Sequence, residues 1–307
     1  MSVMVRGLKK IYGDHVAVVD LHLSVQPKEI YGLLGPDGAG KTTALRCLAG
    51  VMMPSAGQIK IAGQDVTQDP ERGRLVVGYL PQQFSLYGDL TVEENLQFLA
   101  QVRGLTGAQS AARIDQMLQF VRLSEHRKKL AAELSGGMKQ KLALCAALLH
   151  EPSVIILDEP TAGVDPFSRR EFWELLLALR DEGAAVIVST PYLEEAEKCS
   201  RVGFLLQGRL IREGAPAELR AAYQDEVVAV LTREAFRVQS VLSDLGRGAF
   251  VRGHSVRVLG RQGLAEQVRV RLQASNCHWE DVQVVSPALE DVLIANLQEG
   301  GGGFGGN

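Results

Sequence analysis

Three hundred and seven residues exceed what one hydrophobic core usually organises, so one large domain and a smaller one are expected. A hydrophobic share of 46% with 22% charged residues excludes a disordered or fibrous chain, and no run approaches the ~18 consecutive apolar residues of a transmembrane helix. The net charge of −3 provides no global basic field to collect nucleic acid, and no nucleic-acid partner is expected.

In chain order, the first ten residues, MSVMVRGLKK, lack a long apolar core and a small-residue cleavage site, so no secretory leader is expected. Ile30–Leu34, Val76–Leu80, Val154–Leu157 and Ala185–Ser189 are short apolar runs that suit strands buried on both faces. Between them Thr43–Ala49, Val92–Val102, Met138–Leu149 and Arg169–Arg180 carry helical patterns, which predicts an α/β domain with a largely parallel sheet. Asp65 through Gly73 reads as a polar connection. Thr91 and Glu94 form a capping-box pattern at the start of the second helix. Beyond Gly214 the character changes, and no lysine follows Lys198. Strands at Glu226–Thr232, Ala249–Arg252, Ser255–Leu259 and Asp281–Val285 alternate with helices at Ala235–Leu245, Leu264–Ala274 and Ala288–Leu297. That order, β-α-β-β-α-β-α, predicts a small ferredoxin-like α+β domain. The domains expected are therefore 1–220, 221–299 and a glycine-rich tail, 300–307, which is either a disordered terminus or a linker to a further module. The four cysteines, Cys47, Cys145, Cys199 and Cys277, have no metal or disulfide spacing and read as reduced packing residues. The pair Cys277-His278 reads the same way.

Three motifs carry chemistry. Gly35-Pro36-Asp37-Gly38-Ala39-Gly40-Lys41-Thr42 fits G-x-x-x-x-G-K-[ST] between a strand and a helix. Glycines allow the backbone N–H groups to wrap a phosphate, the helix N-terminus favours its charge, Lys41 reaches the outer phosphates and the Thr42 hydroxyl suits Mg²⁺. Val154–Leu157 ends in Asp158-Glu159, which pairs a metal-shell carboxylate with a candidate general base. Leu134-Ser135-Gly136-Gly137-Met138-Lys139-Gln140 places a capping serine and two glycines at a helix start. Taken alone this is an ordinary capped helix.

Lying between the phosphate loop and the Asp-Glu strand, it resembles the signature motif of ATP-binding cassette (ABC) ATPases. The resemblance covers about residues 1–220. It implies a P-loop cassette with a helical signature subdomain, and ATP and Mg²⁺ as cofactors. The loop through Thr43 would hold the phosphates, Thr42, Asp158 and Gln82 the metal, and Glu159 the attacking water. Ser135, Gly136 and Gly137 would contact ATP held by a partner cassette. Tyr12 is placed like the aromatic that stacks on adenine, with a core tyrosine as the alternative. Gln82 looks like the glutamine that senses Mg²⁺, with Gln83 as its rival. Ala162-Gly163-Val164-Asp165 resembles the loop that crosses between the two nucleotide sites.

Phe84–Leu96, Leu134–Lys141 and the C-terminal stretch Ser286–Val292 resemble bacterial drug-exporter ATPases, which pair with separate membrane permeases at the cytoplasmic face of the inner membrane. Gly35–Thr43 and Val164–Glu171 look like the N-terminal cassette of YbhF-like tandem ATP-binding proteins. Soluble ABC proteins that act on ribosomes remain the alternative class, although the only basic cluster is Arg127-Lys128-Lys129. One position departs from the family pattern. Ser189-Thr190-Pro191-Tyr192 puts Pro191 where a switch histidine is expected, and proline offers neither an imidazole nor an N–H. A degenerate catalytic half with an intact signature is therefore expected, in a tandem, hetero- or homodimeric pair of cassettes.

Overall fold

In a computed structural model describing residues 2–299, the chain opens with β1 (Val3–Tyr12) and β2 (His15–Val25), paired antiparallel across the Gly13-Asp14 turn. β3 (Ile30–Leu34), α1 (Lys41–Leu48), β4 (Ala56–Ile61), β5 (Gln64–Asp65), α2 (Pro70–Val76) and β6 (Val77–Leu80) follow. A helical stretch comes next, with α3 (Val92–Val102), α4 (Gly107–Phe120) and α5 (Gly136–Leu148). β7 (Val154–Asp158), α6 (Pro166–Asp181), β8 (Ala185–Ser189), α7 (Leu193–Ala196), β9 (Arg201–Leu206) and β10 (Arg209–Gly214) complete the first part. A six-stranded sheet runs in the order β10-β9-β3-β8-β7-β6, and β9, β3, β8, β7 and β6 pair parallel. Every residue of β3, β7 and β8 is buried, which explains their unbroken apolar runs: a parallel sheet is covered on both faces.

Several features differ from the sequence reading, in which α4, β9 and β10 had no counterpart. β2-β1-β4-β5 form a separate antiparallel sheet. Register shifts between Val5 and Ile11 interrupt the alternation that would have announced β1. The connection expected from Asp65 to Gly73 contains the start of α2, so Val76 ends a helix rather than opening a strand. Asp69 caps that helix by accepting from the Arg72 N–H at 3.1 Å, and Pro70 presets its first turn. Seven mostly polar residues are too few to display a helical period.

Local chemistry fixes the two helices that flank the signature. In α5 the apolar residues run nearly all round, as befits a helix packed on several sides. Its Lys141, 8% exposed, is matched by Glu171 of α6 at 2.7 Å. α6 begins with Asp165 accepting from the Ser168 N–H at 2.9 Å and with Pro166 in the first turn. Phe172, Trp173, Leu175, Leu176 and Leu179 form its buried stripe.

The chain divides into two compact units between Glu213 and Gly214. The expected boundary at 220 falls near the end of α8 (Pro216–Ala221), which groups with the second unit. That unit continues with β11 (Glu226–Leu231), α9 (Ala235–Leu242), β12 (Ala249–Arg252), β13 (Ser255–Gly260), α10 (Leu264–Gln273), β14 (Asp281–Val285) and α11 (Leu289–Glu299). Its antiparallel sheet has the order β12-β13-β11-β14, the ferredoxin-like arrangement. Val228 and Val230 of β11 pack on Val238 and Leu242 of α9 and on Val268 and Leu272 of α10. Val227, pointing the other way, packs with Leu259 and with Ala295 of α11. The tail 300–307 lies outside the described residues.

Candidate active site

The loop between β3 and α1 turns tightly against β2. Gly40 has φ +102°, and a Cβ there would come 2.3 Å from the Ala17 carbonyl oxygen, so no other residue fits. Lys41, 5% exposed, folds back over the loop and donates to the carbonyls of Gly35 at 2.8 Å and Pro36 at 3.1 Å. An open cavity of about 410 Å³ lies over this loop, from Asp37 to Thr43. Tyr12 and His15 form one of its walls and Gln82 and Glu159 another.

β7 ends at Asp158, which is buried beneath the cavity, and the next residue, Glu159, lines it. Glu159 lies 3.5 Å from Lys41 Nζ and accepts from Gln82 Nε2 at 3.0 Å. Both carboxylate oxygens are thus engaged, one by the lysine of the phosphate loop and the other by Gln82. Gln82, rather than its neighbour Gln83, makes this bond. Thr42 donates to Asp158 Oδ1 at 3.1 Å. Asp158 is fully buried, and its Oδ2 has no protein partner. A buried carboxylate oxygen left unpaired beside a threonine hydroxyl is an oxygen donor set that fits Mg²⁺.

Tyr12 is 43% exposed and so is no core tyrosine. Its hydroxyl reaches Met52 Sδ at 2.7 Å, and Lys10 Nζ stands 5.2 Å from the ring centroid. His15 was not singled out from the sequence. It is the cross-strand partner of Tyr12, and the Gly-Asp turn between them is the signal that could have found it.

The remaining motif residues form a second group that does not line the cavity. Ser135 caps α5 by accepting from the Met138 N–H, and both Ser135 and Gly136 are exposed. Gly137 is buried against α6, where a Cβ would come 2.4 Å from that of Ser168. The helix start is thereby held beside the loop that ends in Asp165.

Pro191 is exposed in the loop after β8. Around it, the carboxylate of Glu195, 1% exposed, accepts from Thr161 at 2.6 Å and from Thr190, with Arg169 Nε at 3.7 Å. Arg169 also stacks on Tyr192, 4.0 Å from the ring centroid. Glu195 therefore ties the segment after Glu159, the segment containing Pro191 and the start of α6 into one buried cluster. Sequence reasoning missed it, because its members are distant along the chain.

A family model described as "ABC transporter" matches residues 18–162. The Nod factor export ATP-binding protein I of Cupriavidus metallidurans is 39% identical over 253 residues, 82% of this chain and 84% of that protein. The chain belongs to the ABC transporter family. The probable multidrug ABC transporter ATP-binding protein YbhF of Escherichia coli is 42% identical over 216 residues, which span 70% of this chain but 37% of that protein's length. A dimeric ABC cassette in a post-hydrolysis state, bound to ADP and Pi, superposes with a TM-score of 0.64 at 26% identity, over 69% of this chain and 98% of that one. Among the described residues no helix is long and apolar enough to cross a membrane.

Proposed function

We propose that this chain energises a bacterial exporter from the cytoplasmic face of the inner membrane, by binding ATP and closing on a second cassette. The observation that carries the reading is the contact set at the helix end of the phosphate loop, where Glu159 meets Lys41 and Gln82 while the next loop residue, Thr42, meets Asp158. In this reading Tyr12 stacks on adenine, and residues Gly35 to Thr43 surround the phosphates. Thr42 and Asp158, with Gln82, hold Mg²⁺, which when bound offsets charge developing on the transferred phosphate.

Glu159 begins engaged. Its carboxylate leans on Lys41 and Gln82, and ATP phosphates compete for both donors. Their withdrawal frees a carboxylate to accept a proton from water. Ser135, Gly136 and Gly137, with Asp165, form a group apart from the cavity, which suits action on a partner's nucleotide.

Pro191 makes the chain's own catalytic half slow, because nothing at that position can hold a proton or orient the water. A hetero- or tandem pairing, in which the partner completes one good site, follows from this reading. Tyr87 and Phe98, 51% and 43% exposed and stacked edge-to-face at 5.4 Å, are offered as the surface facing the permease. Both named relatives are described as transport proteins, which favours export over a ribosomal role.

The experiment is purification of the tagged full chain from detergent-solubilised cells. A polytopic membrane protein in fixed stoichiometry is expected. Co-sedimentation with ribosomes and no membrane partner would sink the reading. In the same preparation Lys41→Ala should lower ATP affinity at least about tenfold, by removal of a charged phosphate contact.

A further inference from the structure

We propose that Ser189 is a positioning residue for Mg²⁺: its hydroxyl fixes the Asp158 carboxylate so that the unpaired oxygen is presented to the cation. Ser189 ends β8 and is fully buried. It is the register partner of Asp158 on β7, so the two side chains meet at the same level of the sheet. Its Oγ donates to Asp158 Oδ1 at 2.8 Å and accepts from the Glu159 N–H at 2.9 Å. One hydroxyl thus holds two consecutive acidic residues. The second of them, Glu159, has φ +47°, a left-handed conformation that a residue with a side chain adopts only when its surroundings hold it.

The division of labour on Asp158 is the decisive detail. Ser189 and Thr42 both donate to Oδ1, while Oδ2 is buried with no protein partner. The terminal torsion of an aspartate is soft and roughly two-fold, so the carboxylate needs an external contact to choose its orientation. Thr42 donates to the same oxygen, but it lies on the loop that lines the cavity, where a bound ligand can move it. Ser189 is fully buried on β8, away from that loop. Its bond uses the oxygen that the cation does not need, and it persists in both states. Groups that orient a metal's ligands in this way typically change metal affinity ~10–100-fold when removed.

The substitution Ser189→Ala is clean, since the Glu159 N–H keeps its bond to the Ser189 carbonyl at 3.2 Å and the β7–β8 ladder is untouched. The inference rests on Asp158 being the magnesium residue. Affinity for a non-hydrolysable ATP analogue would be measured at equilibrium on the full chain, with Mg²⁺ and with EDTA. The wild type should gain affinity from Mg²⁺. Ser189→Ala should match the wild type within about twofold in EDTA and lose about tenfold of the Mg²⁺-dependent gain. Ser189→Thr, which keeps the hydroxyl, should restore the gain. If Ser189→Ala does not fold, Ser189→Cys, similar in shape and a weak donor, is read in the same way. An unchanged Mg²⁺ gain in Ser189→Ala, an equal loss in both buffers, or a deficit that persists in Ser189→Thr each overturns the proposal. A wild type that binds the analogue but is indifferent to Mg²⁺ overturns the magnesium reading of Asp158 along with it.

Discussion

Glu159 and Asp158 are adjacent in sequence, yet they meet different surroundings. Glu159 faces the Lys41 ammonium and the Gln82 amide at the cavity edge, whereas Asp158 is sealed beneath them with one oxygen spare. That contrast is what two roles require: one carboxylate that can be released, and one that stays fixed. Elsewhere burial makes residues inert. It pushes the Cys47 thiol up to about 11 and the Cys145 and Cys199 thiols further, so none of the three supplies a thiolate near neutral pH. At His150 burial shifts a titration near neutral pH. Burial, together with Arg103 and Arg113, depresses its pKa from 6.5 to about 4, against a contact of Nε2 with the Val77 carbonyl at 3.0 Å that raises it. Below about pH 6.5 the unfolded chain binds a proton that the folded chain refuses until about pH 4, so this contribution is lost as pH falls through that window. The urea midpoint should therefore decline between about pH 7 and about pH 5, and His150→Gln, which keeps a donor for Val77, should flatten the decline. An equal slope in the variant would assign the decline to other groups.

Contiguity decided which site residues were legible in the sequence. The loop from Gly35 to Thr43 announces itself because its chemistry is consecutive. Ser189, His15 and Glu195 act across strands or between segments, and only the register of β7 with β8, or of β1 with β2, brings them to their partners.

At the scale of elements, α3 illustrates local and non-local control together. Its capping box was readable from Thr91 and Glu94, and both reciprocal bonds are present. Asn95, one residue further, was not. It is fully buried, accepts from the Tyr87 N–H at 2.9 Å, and donates to the carbonyls of Tyr87, Leu90 and Thr91. One amide side chain thus shapes the loop that carries exposed Tyr87. Asn95→Ala strands several buried backbone groups and should cost about 2 kcal/mol in urea unfolding. Amides around Tyr87 should then exchange faster, whereas an unaltered loop would deny Asn95 this role. The buried strands β3, β7 and β8 and the helices α1, α3, α5 and α6 were visible because each repeats one pattern for long enough, whereas the 14-residue α4, which buries only Ile114, Met117 and Leu118, was not. β1 was not, since its bulges reset the alternation, and α2 was not, since it is short and polar.

Across the whole molecule, two units with different sheet chemistry share one chain. The second unit's strand order matches its sequence-predicted β-α-β-β-α-β-α succession. Its buried Asp291 pairs with Arg257 and accepts from the Ala288 N–H at 2.6 Å, which fixes the start of α11 on the sheet. Cys277, His278 and Trp279 prove to be structural: Cys277 and Trp279 pack against the core, and the His278 backbone bonds Thr232 and Glu234. The first unit carries the chemistry, with its cavity group and its signature group set apart, as a pair of cooperating cassettes would need. The proposed reading turns on Pro191, which is exposed in the loop after β8. The direct test is steady-state ATP hydrolysis by the isolated full chain and by Pro191→His and Glu159→Gln. The account predicts a wild type well below about 1 turnover per second and a gain of at least about tenfold in Pro191→His. A wild type that already hydrolyses ATP rapidly, and loses that rate in Glu159→Gln, would contradict it.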